Sequence, residues 1–311
     1  MSHALLRPPP LAPGARVALV SPAGPLRGEA DLARAIENAR AFGWEPKVGA
    51  HALARRGYFA GDDAERLADL NGALRDDTVD GIWCVRGGYG AMRLLPGVDY
   101  DALRRRPKPI VGYSDVTALH AAAGRTGLIS YHGPTARAEL TPFSRASLQR
   151  AVTGRGADPC GAALDVPRPA NAPAPRALRG GRARGVLAGG NLALVAALVG
   201  TPYAPRLDGA ILVLEDVNEA VYRVDRMLRQ LLLAGALDGV RAIAFGRCTS
   251  CPEESDDGAR TLDEVVAEIA DVLGVPCAIH LPVGHIDDQW TVPLGAIAEL
   301  DAEAATLTVE W

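Results

Sequence analysis

The feature that most constrains the fold is a rhythm. Between Ala15 and Pro134, short runs of β-branched and apolar residues alternate with segments whose apolar residues recur at helical spacing. ARVALVSPAG (15–24) reads as strand and turn, and DLARAIENARAFG (31–43) as a helix ending at Gly43. The pattern continues with a helix over DAERLADLNGALRD (63–76), a strand in VDGIWCVRGG (79–88) and a short helix at AMRLLPG (91–97). A strand in KPIVGYSD (108–115), a helix over VTALHAAAGRTG (116–127) and a strand at LISYHGP (128–134) complete it. Strands separated by helices can pair in parallel, so the expectation is an α/β fold: a mostly parallel sheet with helices on both faces.

The rhythm then breaks. Residues 154–185 are dense in Pro, Gly and Arg and carry no periodic apolar face, which marks a linker. Folded patterning resumes with GVLAGGNLALVAALVGT (185–201), the buried strand AILVLEDV (210–217) and the amphipathic helix YRVDRMLRQLLLAGALDG (222–239). The strand RAIAFGRC, the helix LDEVVAEIADVLG, the strand CAIHLPVGH and closing β-type segments at WTVPLGAIAEL and ATLTVEW follow. The expected division is an N-terminal α/β domain over 1–153, a linker over 154–185 and a smaller C-terminal domain over 186–311.

Charge and composition exclude some partners. Lys and Arg total 33 against 37 Asp and Glu, a formal charge of −4, without the basic footprint of a nucleic-acid binder. The longest apolar stretch, Leu192–Val199, is far short of the roughly 20 residues that span a bilayer. Three prolines stand where a signal peptide would carry its apolar core, so a cytoplasmic protein is expected. Five cysteines, Cys84, Cys160, Cys248, Cys251 and Cys277, fit reduced thiols better than a disulfide framework. The single CxxC, Cys248 and Cys251, has no second pair and no His at zinc spacing, so it reads as a loop with two thiols, and no metal is expected.

Several residues invite chemistry, and each has a plainer reading. Ser114 in VGYSD stands where a strand gives way to a helix, a turn that lifts a hydroxyl clear of the sheet beside free N–H groups. The nucleophile-elbow pattern GxSxG fails at Val116, and Ser114 or Asp115 could equally cap the following helix. Arg86–Gly90, RGGYG, follows a strand and lets backbone amides approach an anion, or simply makes a tight turn; it matches neither phosphate-loop fingerprint. His285 lies in a polar loop just past an apolar run, and His132 has a similar address. His120 sits inside a helix and His3 near the N-terminus, where packing or fraying explains them. Glu215 ends the strand AILVLE, where α/β sheets gather functional residues; with Asp216 and Glu219 it could instead favour a helix N-terminus. Ser, Glu and His in this order could form a hydrolytic triad, and spacing alone leaves that open.

Taken together the motifs are specific. VSPAGP (20–25), GIWCVRGGYGAMRLLP (81–96), KPIVGYSDVTALH (108–120), HGP (132–134), GGNL (189–192), LEDVNEAVYRVDRML (214–228) and PVGHIDDQWTVPLG (282–295) resemble the LD-carboxypeptidase family of serine peptidases, which includes microcin-immunity enzymes. The resemblance implies an amidotransferase-like N-terminal sheet and a swivelling β/β/α C-terminal domain. It implies Ser114 as nucleophile, Glu215 as the residue orienting the base, His285 as that base, and an oxyanion hole at the N–H groups of Gly88 and Asp115. It further implies removal of terminal D-alanine from murein tetrapeptide, next to an L-centre of diaminopimelate, in cell-wall recycling. No metal or cofactor is implied, and a homodimer is. A microcin-type acyl-nucleotide substrate is the alternative, which the absence of an aromatic residue between Gly154 and Gly185 disfavours. A further alternative is a non-catalytic ligand-binding member of the fold. A free substrate carboxylate calls for a guanidinium, and Arg86 beside the glycine loop is the candidate, unless it pairs with an acid to hold the turn.

Overall fold

The computed structural model describes residues 5–153, 173–252 and 260–310. The first half runs β1 (Arg16–Val20), α1 (Glu29–Ala41), β2 (Glu45–Val48), α2 (Asp63–Arg75), β3 (Gly81–Cys84), α3 (Ala91–Leu94), α4 (Tyr100–Arg105), β4 (Ile110–Gly112), α5 (Thr117–Gly124), β5 (Ser130–His132) and α6 (Pro142–Thr153). The second runs β6 (Arg176–Arg179), β7 (Arg182–Asn191), α7 (Leu192–Ala197), β8 (Ala210–Val217), α8 (Val221–Leu233), β9 (Ala242–Thr249), α9 (Leu262–Leu273), β10 (Cys277–Ile279), β11 (Val292–Leu294), β12 (Ile297–Asp301) and β13 (Thr306–Glu310).

Two sheets result. The first has strand order β11-β5-β4-β3-β1-β2, and its first five strands in sequence pair in parallel. Every residue of β3 and β4 is buried, because helices cover both faces and leave no side to alternate toward water. The edge strand β2 is mostly exposed and carries Pro46, which an edge tolerates because the missing N–H breaks no interior ladder. The second sheet has order β13-β12-β7-β8-β9-β10-β6, parallel through β7, β8, β9 and β10. Its antiparallel strands β12 and β13 alternate buried and exposed residues, the pattern of a sheet with one wet face.

The expected α/β architecture is present, with helices started by explicit caps. Asp62 accepts the Glu65 N–H while Glu65 accepts the Asp62 N–H, and Thr261 with Glu264 repeats the device before α9. Of the stretch expected as linker, residues 154–172 lie outside the described ones, while Arg176–Arg179 and Arg182–Gly185 are strand. His3 and Cys160 also lie outside the described residues.

The halves interlock. β11, late in the chain, pairs antiparallel with β5 and completes the first sheet, placing Val292 opposite His132. The Asn191 N–H donates to Thr117 Oγ1 at 3.0 Å, tying the end of β7 to the start of α5. A Cβ at Gly190 would stand 2.6 Å from that hydroxyl, so the contact needs a glycine.

The expectation of free thiols at the CxxC is corrected: Cys248 and Cys251 form a disulfide. Cys248 is the penultimate residue of β9, and the left-handed turn at Ser250 (φ 55°) brings the two Cα atoms to 5.6 Å, within disulfide reach. Cys84 and Cys277 are free and buried, and burial pushes each thiol up to about 12.

Candidate active site

Three loops meet at the C-terminal ends of β1, β3 and β4. The chain leaves β1 toward β2 on one side and β3 on the other, and this divergence opens a crevice at the strand ends. The loops touch through glycines. The Gly24 N–H donates to the Gly87 carbonyl at 3.0 Å, and a Cβ on Gly88 would meet Gly24 Cα at 3.0 Å. A Cβ on Gly87 would stand 2.9 Å from Ser114 Cβ and 3.0 Å from its Oγ, so RGGYG is laid directly against the serine.

Ser114 follows β4 with φ 63°, a left-handed conformation that costs a non-glycine residue about 1 kcal/mol or more. Neither it nor Asp115 caps the following helix, so that reading is set aside: the turn is preceded by Tyr113 without a side-chain cap. The Asp115 carboxylate instead accepts the Ala91 N–H at 2.8 Å, locking the start of α3 to the turn, and burial raises its pKa to about 6. The Asp115 backbone N–H belongs to the first turn of the helical segment, where amides have no intrahelical acceptor. Gly88 is solvent-exposed and adopts φ 115°, a conformation open to glycine.

Glu215 lies within β8 and is fully buried. Its Oε2 lies 2.8 Å from His285 Nδ1, which leaves Nε2 as the ring nitrogen not engaged by Glu215. The close approach depends on Gly284 at φ 121°, since a Cβ there would stand 2.9 Å from both Glu215 Cβ and Oε2. The other carboxylate oxygen, Oε1, faces His132 Nε2 at 3.9 Å. Both atoms are buried and make no hydrogen bond among the described residues. Burial, with His120 and His285 nearby, holds the His132 pKa well below its usual value, so this imidazole is neutral. His120 is packed behind it, bonded to Ser130 Oγ at 2.9 Å and the Gly112 carbonyl at 2.8 Å, a structural role that burial reinforces by lowering its pKa to about 4.

Tyr113 connects the serine's turn to the histidine. The ring of Tyr113, the residue before Ser114, lies 4.8 Å from that of His285, and no hydrogen bond joins Ser114 Oγ to His285 among the described residues. Tyr113 and His285 line a cavity of about 200 Å³ with Pro134, Leu140, Asp287 and Gln289. The loop at 287–291 is stitched to α6: Ser144 Oγ donates to the Asp287 carbonyl at 2.6 Å and accepts the Gln289 N–H at 2.9 Å. A larger cavity of about 580 Å³ lies beyond α5, lined by residues such as Leu5, Gly124, Val186 and Pro205. It lacks the serine, the glutamate and His285.

Asp216 and Glu219 do not join Glu215. Asp216 accepts from Asn191 Nδ2 and the Ala193 N–H and so anchors the start of α7, while Glu219 pairs with Arg223 at 3.6 Å. Arg86 donates to the Pro25 carbonyl and has no carboxylate within 4 Å among the described residues, so it does not hold the turn through an acid. Sequence reasoning passed over Arg137, beside HGP, and gave His132 no role. No group of three or more metal-ligating side chains occurs among the described residues, and no helix among them is long and apolar enough to cross a membrane.

Comparison with known proteins gives one answer. Residues 17–133 match the family model for the LD-carboxypeptidase N-terminal domain, and residues 184–300 match that for its C-terminal domain. The murein tetrapeptide carboxypeptidase of Pseudomonas aeruginosa is 36% identical, over 92% of this chain and 93% of its own. Among solved structures, the muramoyltetrapeptide carboxypeptidase of Oxalobacter formigenes superposes with a TM-score of 0.81 at 28% identity, covering 95% of this chain and 98% of that one. The microcin C7 self-immunity protein MccF in complex with aspartyl sulfamoyl adenosine superposes at 0.86 with 25% identity, covering 98% of each chain.

Proposed function

This chain belongs to the LD-carboxypeptidase family and is a serine-type carboxypeptidase, and from that premise we propose how it works and on what. Its substrate is a murein tetrapeptide, and the bond cut joins an L-configured centre of diaminopimelate to the terminal D-alanine. The observation that carries the reading is the bond from His285 to the buried Glu215, with Tyr113 packed on the His285 ring and the next residue, Ser114, held in a left-handed turn.

In this mechanism His285 takes the proton of Ser114 as the hydroxyl oxygen attacks the scissile carbonyl. Glu215 fixes the tautomer with the proton on Nδ1 and offsets the positive charge the ring acquires. The amides of Gly88 and Asp115 stabilise the oxyanion. The protonated His285 then donates to the departing D-alanine nitrogen, forming the acyl-enzyme, and water activated by the same ring releases the shortened peptide. The gap between Ser114 and His285 closes when substrate occupies the crevice, as catalytic hydrogen bonds commonly tighten on binding. Arg86, half-buried and without an acidic partner, reads the terminal carboxylate. The reading includes a cytoplasmic homodimer, supported by the family resemblance alone.

The test is incubation with murein tetrapeptide and, in parallel, with an aminoacyl sulfamoyl adenosine-type conjugate. Release of D-alanine from the first, abolished in Ser114→Ala, is the expected result. Cleavage of the conjugate alone would move the enzyme to the microcin-immunity branch. Binding without turnover of either would return it to the non-catalytic alternative.

A further inference from the structure

Beside the crevice lies a concentration of positive charge of which the mechanism above uses only Arg86. Arg137 follows the HGP segment, and its neighbour Ala138 lines the same cavity as His285. The backbone there is clamped: Asn38 Nδ2 donates to the carbonyls of Ala136 and Ala138, each at 2.8 Å. Arg137 Nη1 reaches Asp31 Oδ2 at 3.5 Å, and Asp31 Oδ2 also accepts the Arg27 N–H at 3.0 Å. Arg137 Nε is buried and makes no hydrogen bond among the described residues.

Other guanidinium groups crowd the same place. Arg55 is fastened to the Leu26 carbonyl at 3.1 Å, and Arg86 to the Pro25 carbonyl of the same loop. Burial lowers the Arg86 pKa first, and the charges of Arg137, Arg27 and Arg55 lower it further against the pull of Asp31. Arg137 also acts on Tyr113 at the cavity wall, opposing the rise that burial imposes on its phenol. Gathering like charges in partly dehydrated surroundings is unfavourable unless an anion completes the site. Asp31 is the one carboxylate bonded to these guanidinium groups among the described residues, and it is shared with a backbone amide; Glu139 and Asp287 line the neighbouring cavity without an ion pair to Arg137 or Arg86, which leaves both guanidinium groups able to take a ligand carboxylate.

We propose that Arg137 and Arg86 form a two-point carboxylate receptor, so that the preferred substrates are peptides carrying a free internal carboxylate in addition to the terminal one. Arg86, next to the glycine laid against Ser114, takes the terminal carboxylate; Arg137, whose side chain is a quarter exposed, takes the internal one through its guanidinium. This rests on the carboxypeptidase reading and names the substrate class within it: unamidated tetrapeptides over amidated ones. Arg137 is thus a specificity determinant that needs its fork geometry as well as its charge.

The experiment compares the tetrapeptide with the same peptide amidated at its internal carboxylates. Binding is measured by calorimetry on Ser114→Ala, and D-alanine release on the otherwise native enzyme. Internal amidation is expected to weaken binding and lower kcat/KM by about 10- to 100-fold, the scale of a charge-assisted hydrogen bond lost. In Arg137→Gln that ratio falls to near one, with the loss on the free acid appearing in KM, and Arg137→Lys recovers part of it. A residue that merely held the loop would lower both peptides in parallel and leave the ratio intact. Equal binding of acid and amide by the unsubstituted receptor would overturn the proposal even where D-alanine is released. Carboxylate-dependent binding without D-alanine release would support the receptor and count against the carboxypeptidase reading.

Discussion

Glu215 Oε2 and His285 Nδ1 lie 2.8 Å apart although 70 residues separate them in the chain. β8 delivers the carboxylate from the interior of one sheet, and Gly284 lets the later loop close on it without a side chain in between. A buried carboxylate bonded to one ring nitrogen dictates which nitrogen faces the crevice. Glu215→Gln keeps the shape but offers no charge and disturbs the tautomer. We expect kcat to fall by about three to four orders of magnitude with KM within a few-fold. Steady-state kinetics on the tetrapeptide check this, and an unchanged kcat would transfer the orienting role elsewhere.

At the proposed nucleophile, function and backbone strain meet. At φ 63° the Ser114 backbone suits glycine, whereas alanine keeps the Cβ penalty. Both Ser114→Ala and Ser114→Gly should abolish turnover. Ser114→Gly is expected to be about 1 kcal/mol more stable than Ser114→Ala by urea denaturation. Equal stabilities would mean that the surrounding loops impose no strain there.

Gly87 has no left-handed φ, so an alanine there is permitted by the backbone and forbidden by the neighbour: its Cβ would meet Ser114 Oγ at 3.0 Å. Gly87→Ala should therefore displace the hydroxyl by a few tenths of an ångström. Since catalytic geometry is that sensitive, kcat is expected to drop about 100-fold while the melting temperature moves only a few degrees. Assay and thermal denaturation on the same sample separate the two effects.

The parallel sheet and its helices were legible because buried strands and amphipathic helices leave different periods in the residues. β2 and α6 left weaker traces: EPKV is short, polar and at an edge, and PFSRASLQRAVT spends its buried positions on Ser144 and Ser147 as well as Phe143 and Leu148. Those two serines bond the loop at 287–291, a tertiary role with no local signature. The motifs pointed to Ser114, Glu215 and His285, yet the approach of Glu215 to His285 depends on the chain after β10 running on beside β9, where the Arg247 N–H donates to the Val283 carbonyl, and no local pattern encodes that. Arg137 was passed over because its neighbours Asp31, Arg27 and Arg86 assemble only in three dimensions. The Cys248–Cys251 pairing depended on one left-handed residue between them, and CxxC does not specify the turn.

His132 stands 3.9 Å from the free oxygen of Glu215 with no other partner among the described residues. A neutral imidazole that turns an N–H to that oxygen would hold the carboxylate's charge and position in a dry site. His132→Phe keeps ring volume and removes the donor, so kcat should fall about 10- to 100-fold with KM little changed. His132→Gln, which restores a donor, should recover part of the loss. Equal rates for His132→Phe and the native enzyme would show that the ring only fills space.

Stability should respond to pH through opposed buried groups. Burial raises the carboxyls of Asp115 and Asp216 to about 6 and lowers His120 to about 4. Between pH 4 and 6, on these values, the folded chain keeps protons on both aspartates that the unfolded chain has released, so their contribution to stability falls as pH rises. His120 is neutral in the folded chain and protonated in the unfolded one over about pH 4 to 6.5, so its contribution rises, and His132 acts in the same direction. The slopes offset one another in the native protein. Asp115→Asn retains an acceptor for the Ala91 N–H and removes one falling slope. Its unfolding free energy, followed by urea titration from pH 4 to 7, should therefore gain on the native protein's by up to about 3 kcal/mol as pH rises. Parallel curves would mean that Asp115 titrates alike in the folded and unfolded chains.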